Sequence, residues 1–172
     1  MYFTMSIFVF LFISPLLREG LFMDGLLYAG MARNIAEGTG SIWRPFLSNG
    51  MFPTFYEHPP LALYLESFAF KIFGDRYISV AFYNLCHFLI AFGIIFYLWK
   101  EIFPKINYRL SWIPLLSWLS LLITCWAYTN NMLEVTSTSF VLLSFFCLYH
   151  SLHMKKLHQI SLYLCASIFI LY

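Results

Sequence analysis

From Ile78 to Trp99 the chain carries no Asp, Glu, Lys or Arg. A helix needs about 17–25 apolar residues to cross a bilayer core, and this run supplies them. Uncharged stretches also cover 2–17, 110–128, 135–149 and 160–172. The chain as a whole, 172 residues, is 61% hydrophobic and 10% charged. Soluble domains run at about 45–50% apolar and about 25% charged, so water is the wrong solvent for this one. Disorder is excluded, because it needs low hydrophobicity and high net charge. A net charge of +2 with no long basic cluster gives nothing to track a phosphate backbone, so nucleic acid is not an expected partner. The expected fold class is all-α: a polytopic membrane protein of about five spans, 2–17, 78–99, 110–128, 135–149 and 160–172. Cys86, Cys125, Cys147 and Cys165 fall inside apolar runs and read as small buried hydrophobes.

Between the first two spans the chain changes character. Residues 18–77 hold six of the eight acids and seven of the eight glycines. Polarity concentrated in one connection points to a site there. Within it, Leu27, Tyr28, Met31 and Ile35 recur at helical spacing, predicting a helix from Asp24 to Glu37 that ends at Gly38. Pro59-Pro60 opens a second helix, with Gly74 suited to its C-terminus. Both are apolar on a broad face but too short and too charged to span. They are expected to lie in the membrane interface.

Orientation follows from the short loops. Lys100, Lys105 and Arg109 share one, and Lys155 and Lys156 another, while 129–134 has no base. The positive-inside rule puts both basic loops in the cytoplasm. The loop 18–77 and the turn 129–134 then share the outer face, which brings Glu134 to the side of the loop acids. The last apolar run has no polar flank, so the chain reads as the N-terminal part of a longer protein.

The strings DGLLYAGMARNIAEGTGSIWRP and FYEHPPLALYLESFAFKIFGD resemble the first external loop of the GT-C membrane glycosyltransferases. The branch is that of the protein O-mannosyltransferases and the lipid A aminoarabinose transferases. The matching positions are Asp24, Tyr28, Arg33, Glu57, Pro59, Pro60, Tyr64, Phe73 and Gly74. Two positions depart from the pattern. Many members carry Asp-Glu where this chain has Asp24-Gly25, and some carry an arginine where it has Leu27. The resemblance implies an enzyme that moves a sugar from a polyprenyl phosphate to a lipid, glycan or protein on the external face. It also implies an integral protein of the bacterial plasma (inner) membrane, with the lipid-linked sugar and the bilayer as partners. No cofactor is required by it, although a divalent cation is a possible addition.

The resemblance makes Asp24 the catalytic base, since a carboxylate can take the proton of an attacking hydroxyl. Spacing alone would make it an N-cap of the following helix. Tyr28, one turn on, would wall the same site. Glu134 matches a second acid common in the family; a helix-start acid, favoured by the macrodipole, is the competing reading. Glu57 and His58 stand where relatives carry an acid and often a lysine. His58 could meet a phosphate when protonated or a metal when neutral, but two ligands do not make a metal site. Arg33 and Arg44 are phosphate candidates, as guanidinium offers bidentate hydrogen bonds, and Arg18 is a third. Arg33 lies nine residues from Asp24, about half a turn away, so it should not share its face; pairing with Glu37 is the alternative. His87, mid-span, reads as a neutral histidine bonded to a neighbouring helix. Two further functional readings stand beside the enzyme: an inactive truncated paralogue, and part of a lipid-linked sugar flippase.

Overall fold

The computed structural model describes residues 6, 7, 9–50, 53–58, 60–105 and 110–153. The expected span 160–172, the basic pair Lys155–Lys156 and Arg109 lie outside the described residues. The chain enters through a π-helical stretch, Val9–Ile13, that runs into one short helical turn, α1 (Ser14–Leu16). Two helices of the polar loop follow, α2 (Met23–Ala36) and α3 (Pro60–Phe73). Between them lies a two-residue hairpin, β1 (Gly40–Ser41) and β2 (Arg44–Pro45), paired antiparallel. Then come α4 (Tyr77–Ile102), α5 (Trp112–Leu119), α6 (Leu122–Thr129) and α7 (Glu134–His153).

Two of these helices, α4 and α7, are long and apolar enough to cross a membrane. Contacts along them step in the same direction: Tyr83 with Thr136, His87 with Ser139, Tyr97 with Phe146. The pair is therefore parallel, and residues 103–133 must carry the chain back from the far end of α4 to the start of α7. The return is made by α5 and α6, which are bent by 72° at Ser120–Leu121. The stretch expected to span at 110–128 thus folds as two helices with a bend between them. Pro114 lies in the first turn of α5, where proline is tolerated, and does not mark the break. At the break Leu121 has extended backbone and Cys125 Sγ reaches the Leu119 carbonyl. Large side chains on α4 and α7, among them Leu89, Ile90, Val141 and Phe145, are exposed, as suits surfaces that face lipid.

The core between spans is aromatic. Phe88 of α4 meets Phe12 from the entry segment, stacks on Trp118 of α5 and takes the edge of Tyr128 from α6. Leu16, Ala81, Leu119 and Val135 complete the cluster. His87 bonds Ser139 Oγ through Nδ1 at 2.9 Å and is buried, as the neighbour-helix reading of that residue anticipated.

The loop helices form a second layer at the end where α4 and α7 begin. Tyr28, Met31 and Ile35 of α2 pack on Leu63 of α3, and Ala29 and Ala32 on Phe70 and Val80. Small residues on α2 let the helices approach. Asn34 Nδ2 donates to the carbonyls of Phe46 and Leu47 and pins the hairpin segment to α2. That segment in turn holds 53–58, through Leu47 N–H to Pro53 and Phe55 N–H to Pro45.

Candidate active site

The first turn of α2 carries Asp24, yet the residue at the N-cap is Phe22. Its N–H is satisfied by Asn130 Oδ1 at 2.9 Å, from the turn before α7. Asp24 is thus not the cap that spacing alone suggested. It is half-buried, and among the described residues its carboxylate has no hydrogen bond or ion pair. An acid at a helix N-terminus that caps nothing is available to a substrate.

Tyr28 is buried one turn further on, and its hydroxyl lies 3.2 Å from His58 Nε2. The two rings meet edge to face at 5.4 Å, and Phe55 flanks the imidazole. His58 reaches this position because the pinned hairpin segment delivers 53–58 over the face of α2. Burial raises the Tyr28 pKa above its ordinary value, and the nearby charges of Asp24 and then Glu134 raise it further. The phenol therefore stays protonated at neutral pH. Asp24 and Glu134, 110 positions apart in the sequence, thus both act on Tyr28 through their charge. Glu134 is the first residue of α7 and is exposed.

The other candidates are placed differently. Arg33 faces away from Asp24, as its spacing required, but its partner is Asp75 at 3.1 Å rather than Glu37. With Asp75, Arg76 and Glu19 it rims a separate cavity of about 460 Å³ whose floor is Ala29, Gly30, Phe70 and Val80. Arg44 sits in the hairpin with its side chain exposed, and Glu57 and Arg18 are exposed as well. Among the described residues no group of three or more His, Cys, Asp or Glu forms, so Glu57 and His58 gain no third ligand.

Four residues that sequence reasoning left without a role, Asn131, Glu66, Gly25 and Asn84, hold the site together. Asn131, in the left-handed region at φ 57, bridges Glu66 and the Gly25 carbonyl, and accepts a bond from Asn84 of α4. Gly25 is buried with the Asn130 carbonyl against its Cα, so that a Cβ there would overlap that oxygen. This contact gives a physical reason for glycine after Asp24: the turn occupies the space a side chain would need. The one available signal was Glu66 itself, an acid centred in the apolar string LALYLESFAF.

Neither a curated protein nor a solved structure matches the chain. The family model described as dolichyl-phosphate-mannose-protein mannosyltransferase matches residues 57–170. The match begins at Glu57, beside His58, and runs through α3, α4 and the returning helices to Glu134 and beyond. Tyr28 and Arg33 precede it and are tied to it by contact, Tyr28 to His58 and Arg33 to Asp75, as is Gly25, next to Asp24, to Asn131. With that match over most of its length, the chain belongs to the dolichyl-phosphate-mannose-protein mannosyltransferase family, membrane glycosyltransferases of the GT-C type.

Proposed function

We propose that the protein transfers a sugar from a polyprenyl phosphate to an acceptor hydroxyl on the external face of the bacterial plasma membrane, with Asp24 as general base. The observation that supports it most is that Tyr28, in contact with His58, feels the charges of both Asp24 and Glu134. A lipid-borne sugar phosphate presents its headgroup at that depth. The acceptor oxygen attacks the anomeric carbon and loses its proton to Asp24. The bond from that carbon to the phosphate oxygen breaks, and the electron pair leaves with the polyprenyl phosphate. Tyr28, kept protonated, donates to His58 Nε2, which leaves the imidazole proton on Nδ1 for a phosphate oxygen. Glu134 orients the acceptor. Arg44 and Glu57, on the same loop, are proposed to meet the donor as the complex closes. Arg33 is engaged with Asp75 and takes part only if that pair opens.

Membranes containing the complete natural protein, given short-chain polyprenyl phosphates bearing radiolabelled mannose or aminoarabinose, test the reading. Label should pass to a lipid, glycan or protein fraction. Label that merely crosses the membrane without changing carrier would favour a flippase, and no movement of either kind an inactive paralogue. Replacing His58 by Ala removes a hydrogen bond to a charged group, a loss of about 1.5–3 kcal/mol. The donor KM should rise at least about tenfold, read from initial rates against donor concentration. The external placement rests on the lysine and arginine bias of the loops. A cysteine introduced at Asn49 should react with an impermeant maleimide in intact cells and one at Lys105 should not; the reverse pattern would invert the topology.

A further inference from the structure

Glu66 lies in the middle of α3, only 1% exposed, and has no part in the chemistry above. Its Oε1 accepts from Asn131 Nδ2 at 2.8 Å, and that nitrogen also donates to the Gly25 carbonyl at 3.3 Å. Asn131 Oδ1 in turn accepts from Asn84 Nδ2 at 3.1 Å. Four segments are tied at this point: α2, α3, α4 and the turn before α7. Gly25 is next to Asp24, and Asn131 is three residues from Glu134. We propose that Glu66 is a positioning residue: through Asn131 it locks the 130–134 turn against the first turn of α2 and so sets the separation of Asp24 and Glu134. The inference rests on the transferase reading of those two acids.

The lock contains a buried titratable group. Burial pushes the Glu66 carboxyl up to about 8, with the Asn131 bond pulling the other way. The groups that face it are neutral: the Gly25 carbonyl of α2, the Asn131 amide and, beyond it, the Asn84 amide of α4. Titratable neighbours on the packed elements are Asp24 and Tyr28 on α2, His58 ahead of α3, Tyr83 and His87 on α4, and Glu134 on α7. None of them contributes to the Glu66 value. The network also contains a buried acceptor with no partner among the described residues, Asn84 Oδ1. A protonated Glu66 brings a donor to the network; a carboxylate brings none and leaves a charge in a dry site.

The test uses the complete natural protein, purified in micelles, and its variants Glu66→Gln, Glu66→Ala and Asn131→Gly. Unfolding is followed by tryptophan fluorescence between pH 5 and pH 9. An acid whose folded pKa is raised stabilises the fold fully below its unfolded value, near 4.5, and loses that contribution as pH rises to about 8. The wild-type melting temperature should therefore fall across that window relative to Glu66→Gln, which cannot ionise. With the donor that passes label in the preceding experiment, wild-type turnover should fall about tenfold from pH 7 to pH 9 relative to Glu66→Gln. Glu66→Ala should lose roughly ten- to a hundredfold in kcat at unchanged donor KM, since misplacement by an ångström is worth that much. Asn131→Gly keeps the left-handed backbone, should match Glu66→Ala, and should add nothing to it in the double variant. Parallel melting and rate profiles for wild type and Glu66→Gln overturn the proposal, as does a wild-type kcat in Glu66→Ala. If the melting difference is present but Asp24→Asn keeps full turnover, the lock stands and the general-base role of Asp24 falls; if it is present and no label passes from any donor, the lock stands and the transferase reading falls.

Discussion

Asp24→Asn in the complete natural protein should lose about 10²–10⁴ in turnover, the usual worth of a general base, while still inserting and folding. Asn keeps the shape of the side chain but cannot accept the acceptor's proton. The expectation of normal folding comes from the structure. Asp24 caps nothing, since the α2 N-terminus is served by Asn130 Oδ1. Its carboxylate has no hydrogen bond or ion pair among the described residues, so little stability is lost with its charge. Initial rates of label transfer, with thermal unfolding measured in parallel, check both halves. Turnover near that of wild type would remove Asp24 from the chemistry. A smaller loss would point to an acceptor already ionised, such as a phosphate.

What could be read before the structure follows from which forces are local. The α2 helix was expected at Asp24–Glu37 and is found at Met23–Ala36. The α3 helix was expected from the proline pair to Gly74 and is found at Pro60–Phe73, with Gly74 at φ 74. Apolar periodicity and chain-breaking residues act within a turn or two, so they are written in the sequence. The half-turn between Asp24 and Arg33 is equally local and placed them on different faces. Partners set by tertiary packing are not. Nothing near Arg33 announces Asp75, 42 positions away, and Glu37 looked the simpler partner. Glu66 showed the same limit: an acid in an apolar helix looks alike whether it faces headgroups or a buried amide. The bend in the third apolar stretch has no proline or glycine at Ser120–Leu121 to signal it.

Gly25→Ala should destabilise the protein, whereas Gly30→Ala, on the same helix, should not. Helix propensity predicts the opposite for the first, because alanine is better than glycine inside a helix by about 1 kcal/mol. A Cβ at Gly25, however, would run into the Asn130 carbonyl and press on Asn131 Cβ. Backbone cannot swing aside as a side chain can, and the turn is fixed by Phe22 N–H to Asn130 Oδ1 and by Asn131 to Gly25 and Glu66. Overpacking of this kind costs about 1–3 kcal/mol, enough to outweigh the propensity gain. A Cβ at Gly30 meets nothing within 4 Å and keeps that gain. The two variants should therefore move the apparent melting temperature in opposite directions. Gly25→Glu, with a longer and charged side chain, should be worse than alanine, because the turn must back away to admit it. Backing away separates Glu134 from Asp24, so turnover should fall together with stability. If Gly25→Ala instead raises the melting temperature as Gly30→Ala does, the turn is not held against α2, and Asp24 and Glu134 have no common site.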